Sequence, residues 1–323
     1  KEMEQQLELG VGKVSYHDYI RKIGHFKEFF GNRYVNNITY EDLVDYDKQR
    51  TDRIGRKAAK STINTHNAAL ARVFDVAVRN GWMHESQVPR LKNQGRKGER
   101  RPYFDQTEVK KLLKAMDKYV KVNTKSFPKG GVKKRTIMIR QFLRDYVQFV
   151  LYTGVRPGEE TKHIKWKHIT VRQHPDGNKY FHIIIPKGKR GRREIVAKAP
   201  VRRCLERLLD RFCSSYHSEY TLADDLSKVD EYVFRLDDRS EPKDLHGAFE
   251  NLLESAGMLV NREGKRRSLY SLRHTYATSM LEAGTSVHQV AVAMGTSVQM
   301  LERHYSHLQV WRMAADFAGS PYH

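Results

Sequence analysis

Apolar and aromatic positions recur every third or fourth residue between Val14 and Phe30 (Tyr19, Ile20, Ile23, Phe26, Phe30), which predicts an amphipathic helix stopped by Gly31-Asn32. Thr39 with Asp42 three residues on is a capping-box pattern, followed by Leu43 and Tyr46 on one face. A longer helix opens at Ser61, carries the stripe Leu70, Val73, Phe74, Ala77 and Val78, and closes at Asn80-Gly81. Residues 13–90 therefore read as a small all-helical domain, and the charged segment 1–12 before it gives no structural signal. Residues 91–102, LKNQGRKGERRP, lack apolar content and have the composition of a basic linker.

The pattern resumes in 103–323. Asp105 with Glu108 caps a helix bearing Val109, Leu112, Leu113 and Met116, and the polar stretch around Lys129-Gly130-Gly131 and Lys133-Lys134-Arg135 reads as a loop. Ile137 to Tyr152 is so densely apolar that it predicts a helix buried on most sides, and it ends in a Gly-Pro turn with a new helix starting near Pro157. Ile164–Val171, Tyr180–Ile185 and Arg193–Val196 predict three antiparallel strands, the second turn between them being intensely basic. Helical patterns return at 201–213 and 244–256, around a short strand at Tyr232–Phe234. The stretch from Leu269 to His307 then gives a helix opened by Arg273-His274, a turn, a second short helix, and Tyr305 in an Arg-His-Tyr-Ser-His run. The fold class is mainly α with a small antiparallel β-sheet.

Charge sharpens this picture. The 323 residues carry 59 Lys and Arg against 38 Asp and Glu, a net +21 spread along the whole chain. A phosphate backbone is the partner that best rewards such a field, through counterion release. Cys204 and Cys213 are too few for a disulfide framework or an unaided metal site and read as reduced thiols of a cytosolic protein. No apolar run approaches a membrane span, and no signal peptide is visible. The chain begins with Lys rather than Met, so 1–12 reads as the remnant of a longer protein from which an N-terminal domain is missing.

Some residues stand where chemistry is plausible. Arg156 sits at a sharp turn after a buried helix, with Glu159 three residues on to orient it, although a plain surface Arg–Glu pair would look the same. Lys187 lies at a hairpin tip from which an ammonium can reach a groove and donate a proton; a solvated turn lysine is the alternative, and Lys189 competes for the role. Arg273 would add a second guanidinium. Two arginines, a lysine and a tyrosine without an acidic metal-binding cluster suggest phosphoryl transfer with no metal or other cofactor.

Thr153-Gly154-Val155-Arg156-Pro157-Gly158-Glu159, the basic hairpin, SLRHTYAT (271–278) and MGTSVQMLERHYSH (294–307), in that order and with Tyr305 32 residues after Arg273 and 9 after Thr296, resemble the tyrosine recombinase (phage integrase) family over essentially the whole chain. The resemblance implies a helical core-binding domain at 13–90 and an α+β catalytic domain at 103–323, closing as a clamp on double-stranded DNA. It implies Arg156 and Arg273 as the catalytic arginines, Glu159 as the supporting acid, Lys187 as the hairpin lysine, His274 as the histidine after the second arginine, and Tyr305 as the nucleophile that becomes a 3′-phosphotyrosine. Two positions depart from the family pattern: Tyr270 stands where histidine is common, and Thr296 where histidine or tryptophan is. A phenol and a hydroxyl still donate hydrogen bonds, so both are expected at the scissile phosphate, with His274 or His307 as compensating groups.

DNA contacts are expected from Lys57, Lys60 and Arg72 of the helical domain, which with His66 decorate it, from Arg96 and Lys97 of the linker, and from Lys189 and Arg190 of the hairpin; a solvated basic face explains them as easily. The implied activity is site-specific recombination, for integration or excision of a phage or other mobile element. The implied assembly is a homotetramer on synapsed DNA, monomeric or dimeric when free, with accessory DNA-bending or directionality factors. The tail Trp311 to His323 packs on a neighbouring protomer or caps its own domain. The implied location is the nucleoid of a prokaryotic cytoplasm, with no membrane partner. Type IB topoisomerase-like relaxation and a catalytically weakened DNA-binding member are the rival readings.

Overall fold

The computed structural model describes residues 1–323 apart from 12, 14, 97, 99, 100, 122–133, 190 and 304–323. Contacts divide the chain into two compact units, Lys1–Glu99 and Arg100–His323.

The first unit is helical: α1 (Glu2–Glu8), α2 (Ser15–Phe30), α3 (Tyr40–Ile54) and α4 (Lys60–Arg79). α2 ends where Gly31 turns to φ +58. The capping box of α3 is formed on both sides, with Asp42 N donating to Thr39 Oγ1 (3.3 Å) and Thr39 N to Asp42 Oδ2 (2.9 Å). Phe26, Phe30, Leu43, Tyr46, Leu70 and Phe74 close the core from three helices. His66, expected on the surface, lies in this core, its Nδ1 2.8 Å from the Tyr46 hydroxyl. Burial, then the charge of Arg50, pushes its pKa down to about 3, so it is a neutral core histidine.

Two features of this unit depart from the sequence pattern. α1 buries none of its residues, which is why no amphipathic period marks it. The first half of the stretch that reads as linker is bound to α4: Arg96 N donates to Ala58 O (2.8 Å) and Lys60 N to Arg96 O (2.9 Å). Asn67 Nδ2 donates to Lys92 O (3.0 Å), and Asn93 Nδ2 to Lys60 O (2.8 Å). Gly95 lies so close that a Cβ would sit 2.7 Å from Lys60 N. These are polar backbone contacts, and a hydrophilic composition does not distinguish them from a free hinge.

The second unit holds α5 (Gln106–Lys121), α6 (Lys134–Thr153), the one-turn α7 (Glu159–Lys162), β1 (Ile169–Gln173), β2 (Lys179–Ile185), β3 (Arg193–Val196), α8 (Val201–Tyr216), α9 (Leu245–Ser255), α10 (Leu269–Glu282) and α11 (Val287–Met294). α6 is its axis. Phe142, Leu143, Tyr146, Val147, Phe149 and Val150 are all buried, and α5, α8, α9 and α10 pack around them. Most of the loop expected at 129–135 falls outside the described residues, and Lys134 and Arg135 open α6.

The sheet runs β1-β2-β3, antiparallel throughout, and its register aligns Ile169, Ile183 and Ile195 across the buried face. β1 starts five residues later than the apolar run at Ile164 suggests. Trp166, fully buried, sits in a 3₁₀ turn, and the chain before it bonds to the 229–233 segment: Val233 N donates to Ile164 O (3.0 Å) and Trp166 N to Glu231 O (2.9 Å). The strand expected at Tyr232–Phe234 amounts to one bridge, Lys165 to Tyr232. α10 is buried on nearly all sides, between α6 and a small cluster of Tyr276, Leu281, Val290, Met294 and Leu301.

Candidate active site

α6 ends at Gly154, where φ is +66 and a Cβ would lie 2.3 Å from the Tyr276 ring of α10. Only glycine permits both the left-handed backbone and that approach. Val155 is buried and Arg156 follows it, then Pro157-Gly158 breaks the chain direction, with Gly158 at φ +95. Tyr146 of α6 holds this turn, its hydroxyl accepting from Gly158 N (2.9 Å).

Three arginines converge on the end of α11, where Gly295 adopts φ +60 and closes the helix. Arg193 Nε donates to Ala293 O (3.2 Å), Arg273 Nη2 to Met294 O (2.7 Å) and Arg156 Nη2 to Gly295 O (2.7 Å). The last carbonyls of a helix lack intrahelical donors and carry the negative end of its dipole, so guanidinium groups belong there. Arg273 is 3% exposed and also donates to Gly154 O (2.6 Å), tying the end of α6 to the end of α11. Burial, then the charge of Arg156, lowers its pKa to about 10, which leaves it cationic at neutral pH.

The carboxylate that serves these arginines is Glu160, not Glu159. Glu160 is 1% exposed; it accepts from Arg156 Nη1 (2.6 Å) and from the Arg156 backbone N (2.8 Å). Arg193 grips it with a fork, Nη1 to Oε1 at 2.9 Å and Nη2 to Oε2 at 2.6 Å. Burial pushes the Glu160 carboxyl up, but the Arg193 and Arg156 hydrogen bonds and charges outweigh it and hold the pKa below its ordinary value. Glu159 points outward, its side chain 75% exposed, with Lys162 (3.6 Å) and His163 (3.8 Å) as its ion-pair neighbours among the described residues. Spacing alone placed Glu159, three residues on, beside Arg156. Pro157-Gly158 resets the phase, and the second glutamate turns inward.

Arg193 escaped the sequence reading altogether, although a signal was there. It lies two residues before Ile195 on a strand of period two, hence on the buried face, where an arginine requires a partner. Lys187 and Lys189 are exposed on the turn between β2 and β3, without an ion-pair partner among the described residues. Tyr270 and His274 share one face of α10, ring centroids 5.5 Å apart, and the Arg101 guanidinium lies 4.6 Å over the Tyr270 ring. Tyr270 is also within electrostatic reach of Arg273. Thr296 directly follows the Gly295 carbonyl that anchors Arg156, its own N–H donating to Ala291 O (3.0 Å). Residues 298–303 are helical with Leu301 buried. Tyr305, Arg190, Lys97, His307 and the tail 311–323 lie outside the described residues.

In the first unit, Lys57 lines a groove of about 530 Å³ with Arg50, Arg90 and Lys92, Lys60 opens α4, and Arg96 is the bridge residue beside it. Arg72 instead borders a hollow beside α1 with Trp82. Among the described residues no cluster of His, Cys, Asp or Glu is arranged to hold a metal, and no helix is long and apolar enough to cross a membrane. The second unit thus fixes the Arg156 and Arg273 guanidiniums at one helix end, an arrangement suited to two oxygens of a phosphodiester.

The sequence model described as "Phage integrase family" matches residues 102–311. No curated protein matches the chain. Among solved structures the chain is similar to the XerH site-specific recombinase bound to palindromic difH substrate (18% identity, TM-score 0.66, covering 94% of this chain and 80% of that one). It is similar also to a lambda integrase dimer bound to a COC′ core site (16%, TM-score 0.61, 94% and 92%) and to the Tn1549 transposon integrase with transposon right end DNA (14%, TM-score 0.62, 96% and 97%). At these identities the likeness is one of fold: mostly helical, with a small antiparallel sheet.

Proposed function

This chain belongs to the phage integrase family, the tyrosine-type site-specific recombinases, and from that premise we propose that it cuts and rejoins duplex DNA at a specific site through a 3′-phosphotyrosine on Tyr305. The Tyr305 oxygen attacks the scissile phosphorus while the 5′-oxygen leaves with a proton from Lys187, for which Lys189 is the competing donor. Arg156 and Arg273 bind the two non-bridging oxygens, and Tyr270 and Thr296 donate further hydrogen bonds to them. In rejoining, a 5′-hydroxyl attacks the phosphotyrosine and restores the phenol. The phosphodiester energy is kept in that bond, so no ATP is consumed. A free phenol has a pKa of about 10, and the surrounding positive charge favours its ionised form.

The observation that carries the reading is the convergence of Arg156 and Arg273 on the end of α11, with Gly295 ten residues before Tyr305. The helical unit serves as the core-binding domain, with Lys57, Lys60 and the 91–102 stretch along the phosphate backbone. The working assembly is a homotetramer on two synapsed duplexes, assisted by accessory DNA-bending or directionality factors; a lambda integrase of this fold has been solved as a tetramer on a Holliday junction (16% identity, TM-score 0.60, 91% of this chain and 72% of that one). The biological role is integration or excision of a phage or other mobile element in a prokaryotic cytoplasm.

A library of nicked duplexes with a randomised centre tests this. The wild type is expected to give covalent protein–DNA complexes that survive denaturation and share a sequence, and Tyr305→Phe to give none. Covalent complexes formed equally by Tyr305→Phe, or by neither protein, would refute it.

A further inference from the structure

We propose that Arg193 is a positioning residue of strand transfer, which locks β3, the Arg156 turn and the end of α11 together and thereby fixes the aim of Arg156. The proposal rests on the cleavage chemistry inferred above. Three donors of the Arg193 guanidinium are taken by protein acceptors: Nη1 and Nη2 by the two Glu160 oxygens (2.9 and 2.6 Å), and Nε by Ala293 O (3.2 Å). Its side chain is 12% exposed. Two glycines fit against it, since a Cβ on Gly295 would lie 3.0 Å from its Cδ and Nε, and one on Gly188 3.1 Å from its Nη1. Arg193 is therefore boxed in and occupied, a group that holds other groups.

What it holds is the geometry of Arg156. Glu160 Oε1 is shared by Arg156 Nη1 (2.6 Å) and Arg193 Nη1, and Oε2 by the Arg156 backbone N (2.8 Å) and Arg193 Nη2. With both oxygens pinned from the Arg193 side, the carboxylate cannot swing, and Arg156 retains one orientation in which its remaining donors are free for an incoming anion. Without Arg193, the carboxylate has a single cationic partner and can rotate with it, so the bound phosphate meets a guanidinium whose direction is no longer fixed. Because Arg193 also bonds Ala293 O, its loss loosens the end of α11, whose Gly295 carbonyl is the second anchor of Arg156. Neither effect removes a group that touches DNA. Binding should survive and the chemical step should slow.

The test compares wild type, Arg193→Ala and Arg193→Lys as full-length chains on one nicked duplex recovered by wild-type covalent trapping. Affinity is measured by electrophoretic mobility shift and single-turnover formation of the covalent complex by denaturing gel. The rate constant of a single turnover does not depend on the folded fraction, which alters only the amplitude, so a partly unfolded variant still reports. Affinity is expected to stay within about threefold, while the rate constant falls at least tenfold for Arg193→Ala and less for Arg193→Lys, which keeps the charge but not the fork. Added guanidinium ion, against a matched salt, should restore part of the rate to Arg193→Ala. An unchanged rate constant in Arg193→Ala, or a loss lying wholly in affinity, overturns the proposal. Absence of cleavage by the wild type would instead overturn the reading of the reaction itself, and this proposal with it.

Discussion

Replacing Glu160 by Gln removes one charge where Arg156 and Arg193 meet and leaves the shape of the side chain nearly unchanged. Four donors converge on this carboxylate, two per oxygen: Arg156 Nη1 and Arg193 Nη1 on Oε1, Arg156 N and Arg193 Nη2 on Oε2. An amide oxygen can serve either pair. The amide nitrogen must then face the other pair, donor against donor, whichever way the group is flipped. Removing one partner of a buried ion pair costs about 3–5 kcal/mol. The side chains of Arg156 and Arg193 retain 19% and 12% exposure, which places the expectation at the lower end, about 3 kcal/mol. Glu159→Gln, at a side chain 75% exposed, should change stability by less than about 0.5 kcal/mol.

Hydrogen exchange followed by mass spectrometry measures this in the whole chain, because protected amides of α6 report the opening of the second unit while α4 serves as an internal control. The wild-type advantage over Glu160→Gln should also depend on pH. The folded carboxyl has a pKa below its ordinary 4.5, so its stabilisation is complete above that value and declines as pH falls from there through the folded pKa. Equal effects of the two substitutions on α6, or a Glu160→Gln effect below about 0.5 kcal/mol, would refute the assignment of Glu160 as the supporting acid.

The first unit should lose stability on acidification in a window set by His66, whose pKa falls from 6.5 unfolded to about 3 folded. The unfolded chain takes up a proton first, so the loss begins below 6.5 at up to about 1.4 kcal/mol per pH unit and should be absent in His66→Gln when α4 exchange is followed against pH. For the leaving-group proton, Lys187→Ala is expected to slow covalent-complex formation at least a hundredfold on an ordinary duplex and to recover on one with a 5′-bridging sulfur, whose thiolate leaves without a proton. The same pattern in Lys189→Ala, with Lys187→Ala unaffected, would transfer the role to Lys189.

Where the sequence told enough, one-dimensional periodicity coincided with burial. α6 announced itself because almost every face is packed, and Ile183 and Ile195 because they alternate on a strand with one buried side. α1 was silent because it buries nothing, and the start of β1 was misplaced because an apolar run shows that a segment is buried without showing what it bonds to. The site divides in the same way. Arg156 and Arg273 were legible from their place at a turn and at the start of a helix, and both converge on α11. Glu160 was missed by one residue because a Pro-Gly turn changes the phase in which side chains face inward, and spacing alone does not record that change.

Arg193 adds charge to the site as well as fixing its geometry. Leaving aside Lys187, whose proton goes to the leaving oxygen, Arg156, Arg273 and Glu159 of the set legible in the sequence would sum to 2 − 1 = +1. The assembled cluster of Arg156, Arg193, Arg273 and Glu160 sums to 3 − 1 = +2, and all four groups are close enough to act on one another. For the reaction proposed above, the phosphodiester enters with one negative charge and passes through a pentavalent state carrying two. A site of +1 would match the substrate, whereas a site of +2 matches the state of highest energy, and only the surplus there accelerates the reaction. Arg193 supplies that surplus from behind Glu160, without touching the phosphate, and so a reading confined to residues placed to meet the substrate passes over it.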